Sequence, residues 1–517
     1  MTLGALLFWL QGRSRALWGT TAGQGAGLVL VTALAVLFRL PLVSFGAAGY
    51  TTPDGALSGI VALHAQAGTG HHVFIPGIPY SGSLKSHLTV LLALLTDLPR
   101  AFTLASVLFY GVFVAGVYRL ALLADTGRFT PLAAGLYLAF SPAFVTHYSL
   151  SNDGNYMEVL AFGTWALFLI VRWVGEEPER KTLALGAGLL LGLAFWAHLL
   201  SIMHAATVGL VVIGVGRFRA APSCLWLLLG FGLGFFPGVL WNLGHSWDSL
   251  AYVIPGAHTM RSVALGPSLA WRAWLMATEQ WPILMGYDPG YPPLLDRCLF
   301  GVGVLGALLV LAGAWKAARE NGPVLGVLLL FAFVDLVVAT VALPYVPQNP
   351  RYILFLMTPI PILLARLLGG GRRRWIMALL VSTGALASLL QAPDKIVEDR
   401  RWRRFVLDLE REGVSACYTD FYLASKIDFL SGERITCCSK LGPTFTEYFP
   451  EYRPKVESAP DAALIAVNGS AAEKLSRRLD RLQVLYERRD LMKPTFVRLS
   501  RKVDPEELFP EKVFPAR

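Results

Sequence analysis

Tyr50-Thr51-Thr52-Pro53-Asp54-Gly55-Ala56-Leu57-Ser58-Gly59-Ile60-Val61-Ala62-Leu63-His64 is the stretch on which the reading of the chain turns. It follows the first long apolar run, 22–45, and Asp54 is the first acidic residue in the sequence. A carboxylate just beyond an apolar span has two readings. As a helix-capping residue next to Pro53 it accepts backbone N–H bonds and favours the positive end of the helix dipole. As a functional group it serves a site at the membrane surface.

The wider sequence sets the context. Of 517 residues, 55% are hydrophobic and only 15% charged, with a mean hydropathy of +0.53. Apolar runs of roughly 20 residues recur and identify a polytopic helical membrane protein. They lie near 22–45, 100–124, 130–147, 156–174, 181–198, 199–216, 223–243, 298–316, 323–343, 352–369 and 375–392, about eleven spans. The net charge of +10 does not indicate nucleic acid, because the basic residues sit at segment ends. No small-residue cleavage site follows the apolar first ten residues, so no removable leader is expected.

Lys and Arg orient the spans. One set of connections carries Arg13 and Arg15, Arg128, Arg172 with Arg180 and Lys181, Arg217 and Arg219, Lys316 and Arg319, and Arg372 to Arg374. The alternate connection 148–155 has no Lys or Arg, and 344–351 has only Arg351. The first set is therefore expected in the cytoplasm. The loops 46–99 and 244–297 and the tail then face outward.

Three units are expected: a cytoplasmic segment 1–21, a transmembrane domain 22–392 and a soluble extracytoplasmic α/β domain 393–517. More than half of the chain's charged residues fall in the last unit, nearly balanced in sign. There Glu398–Glu412 reads as an amphipathic helix, and Val414–Asp420, Arg434–Cys438, Ala462–Val467 and Leu482–Tyr486 as strands. Cys417 has two candidate disulfide partners, Cys437 and Cys438; only one of two adjacent strand residues faces a given side.

Several polar groups share the outer face. In loop 46–99, Asp54–Gln66 and Ser86–Leu98 read as interfacial helices. His71-His72 between them is a solvated pair or half of a metal site. Glu158 lies at the start of a span and is a functional carboxylate or the structural partner of a neighbour such as Arg39. His198 and His204 mark a tight outer turn and read as core or interfacial groups. Trp247, Trp271, Trp274 and Trp281 serve as interface anchors or stack on sugar rings. Asp288 in Gly-Tyr-Asp-Pro-Gly reads as a turn former. Arg351, the only cation in its short outer connection, calls for an anion: a lipid phosphate or an ordinary headgroup.

These residues follow a recognisable order. Pro53-Asp54 and His64 come first, then Pro79-Tyr80-Ser81-Gly82-Ser83-Leu84, Gly154-Asn155-Tyr156-Met157-Glu158, and Pro350-Arg351-Tyr352. The set resembles the bacterial membrane glycosyltransferases of the GT-C class, similar to protein O-mannosyltransferases and to aminoarabinose transferases of lipid A. It spans about 40–370 and, more weakly, the tail. Two positions depart from the pattern: Gly55 stands where a second carboxylate is common, and Lys85 where the related branch often has an acid.

The resemblance implies transfer of a sugar from a polyprenyl-phosphate carrier to a lipid, glycan or protein acceptor outside the cytoplasm, in the inner membrane. It implies Asp54 as general base and Arg351, with Lys85 or Arg39, at the phosphate. Tyr80, Ser83, Tyr156 and Glu158 would shape the site, with Asp153 beside them. No metal is expected to be obligatory, and a divalent ion stays open. The competing function is a transporter or lipid flippase, which ordinarily shows internal repeats and broken helices at mid-membrane; no repeat is evident.

Overall fold

The computed structural model describes residues 22–125, 129–151, 153–175, 180–214, 221–251, 268–287, 293–320, 322–341, 343, 349–441 and 448–509. Arg13, Arg15, Arg128, Arg217, Arg219 and Asp288 lie outside them.

Eleven apolar stretches of sequence become helices in three forms. Six are long enough to cross a bilayer: Gly23–Tyr50, Leu98–Ala124, Tyr156–Gly175, Leu294–Glu320, Pro323–Val341 and Gly371–Arg411. Three are bent pairs: Phe129–Ala139 with Ala143–Leu150 at 68°, Cys224–Gly234 with Phe236–Gly244 at 64°, and Arg351–Met357 with Ile360–Leu368 at 45°. The remaining two, Lys181–Ala197 and Leu199–Gly214, are shorter. Each bend has a proline at or just after the break, Pro142, Pro237 and Pro359. Proline offers no backbone N–H and disfavours helix in the residue before it. The chain is a multi-pass membrane protein.

Loop 46–99 folds into two helices, Pro53–Ala67 and Leu84–Leu92, joined by a hairpin. The second starts and ends earlier than the expected Ser86–Leu98. The hairpin pairs β1 (Phe74–Ile75) with β2 (Ile78–Gly82). A Cβ at Gly82 would fall 2.2 Å from the carbonyl oxygen of Trp196, so glycine lets β2 lie flat on the helix Lys181–Ala197. Trp196 Nε1 donates to Val73 O at 2.9 Å and completes the seam.

The expected separate helix Glu398–Glu412 is instead the outer part of a single helix, Arg374–Arg411, with Pro393 inside it. At 1.5 Å per residue its 38 residues span about 57 Å, well beyond the hydrocarbon core. Contacts with the first helix support the stretch around Pro393: Ala48 N donates to Asp399 Oδ1 at 2.7 Å. Gly49 sits so close that an added Cβ would meet Lys395 O at 2.1 Å.

Beyond this helix lies a five-stranded sheet in the order β4-β3-β5-β7-β6. Its strands are β3 (Ala416–Tyr418), β4 (Thr436–Cys438), β5 (Ala463–Ile465), β6 (Glu487–Asp490) and β7 (Pro494–Val497). Strands β3, β4 and β5 are parallel, and β5-β7-β6 antiparallel. Cys417 faces Cys437 across β3 and β4 and is bonded to it, which settles the choice between Cys437 and Cys438. The strand expected at Leu482–Tyr486 is not formed. Its place is taken by the hairpin β6–β7, whose outer strand Glu-Arg-Arg-Asp is exposed at the sheet edge and carries no apolar alternation to reveal it.

This domain rests on the outer loop. The helix Phe421–Ser431 packs against Pro53–Ala67, where a Cβ on Gly59 would meet the Phe429 ring at 2.5 Å.

Candidate active site

Asp54 sits in the first turn of Pro53–Ala67, but it is not the cap. Thr52 holds that position, in extended conformation, and its hydroxyl accepts from Gly55 N at 3.0 Å. Pro53 fills the first helical position, where a missing N–H is harmless. The capping reading of Asp54 therefore loses its basis. The Asp54 side chain is exposed. Surrounding protein desolvates its carboxyl and raises the pKa, while the Arg351 charge pulls the other way.

Asp153 stands beside it. Burial, and then the Asp54 charge, push its carboxyl up to about 6, against the pull of Arg351 and Lys85. The turn that presents Asp153 has positive φ at Gly154 (62°) and Asn155 (51°). Glycine and asparagine tolerate that region better than other residues do. Asn155 Nδ2 shares its two hydrogens among Ser81 Oγ at 3.1 Å, Gly82 O at 2.6 Å and Ala197 O at 3.0 Å. One amide thus ties the turn, β2 and the end of the helix Lys181–Ala197 together. Asparagine's two amide hydrogens and its tolerance of the left-handed region are the signals that mark it.

Arg351 opens the bent pair Arg351–Met357/Ile360–Leu368. Its backbone N donates to Asn349 Oδ1 at 3.3 Å and its Nη2 to Tyr352 Oη at 3.1 Å. The guanidinium lies 4.9 Å from the Tyr352 ring centroid. Its buried Nε has no hydrogen-bond partner among the described residues. Tyr148 Oη donates to Asn349 Oδ1 at 3.1 Å. The Tyr156 ring lies 5.5 Å from Tyr148 and 5.8 Å from His198, and His198 lies 5.4 Å from Tyr80. Tyr148 and Asn349 join the site without having stood out in the sequence, because nothing separates an aromatic or amide at a span end from an interface anchor.

Lys85 and Glu158 form a buried ion pair, Nζ to Oε1 at 3.4 Å, beneath this surface. Burial lowers the Lys85 pKa and the Glu158 charge opposes that shift. The pair joins the helix Leu84–Leu92 to the start of the span Tyr156–Gly175.

Arg39 and Ser83 take other places. Arg39 is fully buried and donates to Ser149 Oγ, Ser141 Oγ, Ala35 O and Ala139 O at 2.6–3.0 Å. It therefore braces the bend at Pro142 and does not pair with Glu158. Ser83 donates to His72 O and Val73 O and closes the hairpin. His72 Nε2 lies 3.5 Å from His64 Nδ1, whereas His71 stacks near His87, so the vicinal histidines point to different partners. His204, in the bilayer-spanning part, packs on Phe331 at 4.6 Å. Trp247, Trp271 and Trp274 are exposed.

Comparison with known proteins places this geometry on a known fold. A crystal structure of ArnT from Cupriavidus metallidurans in the apo state matches 92% of this chain and 98% of its own, with a TM-score of 0.58 and 13% sequence identity. The same protein bound to undecaprenyl phosphate matches 91% of this chain and 97% of its own, with a TM-score of 0.57 and 13% identity. No family model matches the sequence, and no curated protein does so at a significant level. The chain shares the fold of these two structures, with a small C-terminal α/β domain, and this is the fold that the resemblance of its motifs implies.

Removing one member of a buried pair leaves a charge without a partner and costs about 3–5 kcal/mol. Glu158→Ala is expected to lower stability in detergent by that amount. Lys85→Met combined with Glu158→Gln is expected to recover most of it. Chemical denaturation of both variants checks this, and equal losses in both would show that the pairing itself is not what stabilises the fold.

Proposed function

We propose that the chain is a membrane glycosyltransferase that moves a sugar from a polyprenyl-phosphate carrier to an acceptor hydroxyl outside the cytoplasm. The observation that carries this reading is the juxtaposition of Asp54 and Asp153 with Arg351, whose Nε has no hydrogen-bond partner among the described residues, on the fold shared with an undecaprenyl phosphate-binding protein. A carboxylate and a guanidinium within electrostatic reach of each other suit a reaction in which a proton is taken and a phosphate is released.

In this scheme the acceptor oxygen attacks the anomeric carbon and its proton passes to the Asp54 carboxylate. The bond from the anomeric carbon to the phosphate oxygen breaks, and its electron pair leaves with the phosphate. Arg351 neutralises the charge that grows there. Asp153 keeps a second negative charge near Asp54 and strengthens it as a base. Lys85 lies close enough to Asp153 to act on its charge and supports the same side of the site. The buried rings of Tyr148 and Tyr156 back this site, and Tyr80 lies beside them against His198.

The outward placement of the site rests on the Lys and Arg distribution and on the disulfide Cys417–Cys437 in the domain that covers the loop, since disulfides persist in oxidising compartments. In a variant lacking Cys224 and Cys298, a membrane-impermeant maleimide is expected to label Ser470→Cys on intact cells and to spare Arg372→Cys. The reverse pattern would place the site in the cytoplasm and end this reading.

Asp54→Asn keeps the size of the side chain but takes no proton. It is expected to retain undecaprenyl phosphate binding and to slow transfer by at least about 10²-fold. Near-normal turnover would remove Asp54 from the role of base.

The pH dependence follows from the carboxyl pair. With Asp153 held up to about 6, its proton leaves as pH rises through that value. Transfer is therefore expected to rise between pH 5 and pH 7, and Asp153→Asn is expected to lose the inflection near 6. A wild-type profile flat over that interval would mean that Asp153 does not act on the reaction.

A further inference from the structure

The helix that presents Asp54 is held from two sides. On one side Ser86 Oγ donates to Ser58 O at 2.7 Å, fixing it to the helix that carries Lys85. On the other the C-terminal domain meets it, with Gly59 flat on the Phe429 ring. Near its C-terminal end, His64 Nε2 donates to Glu433 Oε1 at 2.8 Å. The same oxygen accepts from Tyr452 Oη.

Glu433 is placed for this contact at a conformational cost. The helix Phe421–Ser431 ends at Gly432 with φ 62°, and Glu433 follows with φ 59°. Glycine takes the left-handed region freely; glutamate does not. Glu433 N donates back to Asp428 O at 2.8 Å and holds the turn. The turn aims the carboxylate out of its own domain, toward His64. His64 is in turn packed against Phe449, with ring centroids 5.3 Å apart, and faces His72. The contact joins two parts of the chain 369 positions apart.

We propose that Glu433 is a positioning residue for transfer, acting through His64 to fix the helix on which Asp54 is mounted. The proposal rests on the reading of Asp54 as base. A helix is stiff over four turns, so a shift or tilt at His64 moves the first turn, where Asp54 sits. The C-terminal domain is then a working part of the transferase, required for the geometry of a carboxylate it does not contain.

A double-mutant cycle on the full chain tests this: Glu433→Ala, His64→Phe and both together, with Glu433→Gln as the conservative variant. The first readout is hydrogen exchange of backbone amides in 57–67, measured without any donor. Each single variant is expected to speed that exchange about tenfold, and the double variant to add less than about twofold. Glu433→Gln keeps an acceptor for His64 and is expected to stay within about twofold of wild type. His64→Phe leaves the C-terminal domain intact, so the same gain there shows that unfolding of that domain is not the cause. The second readout is transfer, where kcat is expected to fall with KM unchanged. Undecaprenyl phosphate binding is expected to be unaltered, because neither variant touches Arg351. Unchanged exchange in both single variants, or fully additive effects in the double, overturns the proposal. Altered exchange with full transfer by Asp54→Asn would instead overturn the base assignment on which the proposal rests.

Discussion

A charge buried in a protein embedded in lipid needs an opposite charge or a full set of hydrogen bonds, and Lys85 and Glu158 meet that need with each other. The pair fixes where loop 46–99 meets the membrane domain. Lys85 comes from the second helix of that loop, one residue into it, and Glu158 from the first turn of a span. Bringing them to 3.4 Å sets the strand Ile78–Gly82 against the turn at Asn155, where the three Nδ2 bonds take over. Asp153 then lies within reach of the Lys85 charge, and Asp54 and Arg351 within reach of Asp153.

The arrangement separates two kinds of polar group that a sequence presents alike. Arg39 and Arg351 are both lone arginines at the outer ends of apolar runs. Arg39 spends its donors on Ser141, Ser149 and two helix carbonyls, as a buried guanidinium with several fixed donors must. Arg351 Nε has no hydrogen-bond partner among the described residues. The difference arises from the bend at Pro142, which turns carbonyl and hydroxyl groups toward Arg39, and a bend of that kind is a three-dimensional event. Ser83 and Tyr80 show the same split within one motif: the serine closes a hairpin, and the tyrosine stays at the site beside His198.

Much of the fold was nevertheless legible, because the bilayer enforces it. Each of the eleven apolar runs forms helix, and bends occur where proline removes a backbone bond. The errors lie where the membrane no longer dictates structure. The helix Arg374–Arg411 passes through Pro393 because the first helix supports it through Asp399 and Gly49. The hairpin β6–β7 was hidden because its edge strand is charged on both faces. In the site, Asp54 was visible as an acid out of place, whereas Thr52 as the true cap follows only from backbone geometry.

The electrostatics of the site also bear on the two acids. Arg351 by itself would draw a neighbouring carboxyl toward permanent ionisation. Desolvation pushes both Asp54 and Asp153 the other way, and the Asp54 charge pushes Asp153 further, to about 6, while Arg351 opposes the rise at both. Gly55 leaves Asp54 without an acidic neighbour in sequence, and Asp153 brings one near it in space, from the turn before the span Tyr156–Gly175.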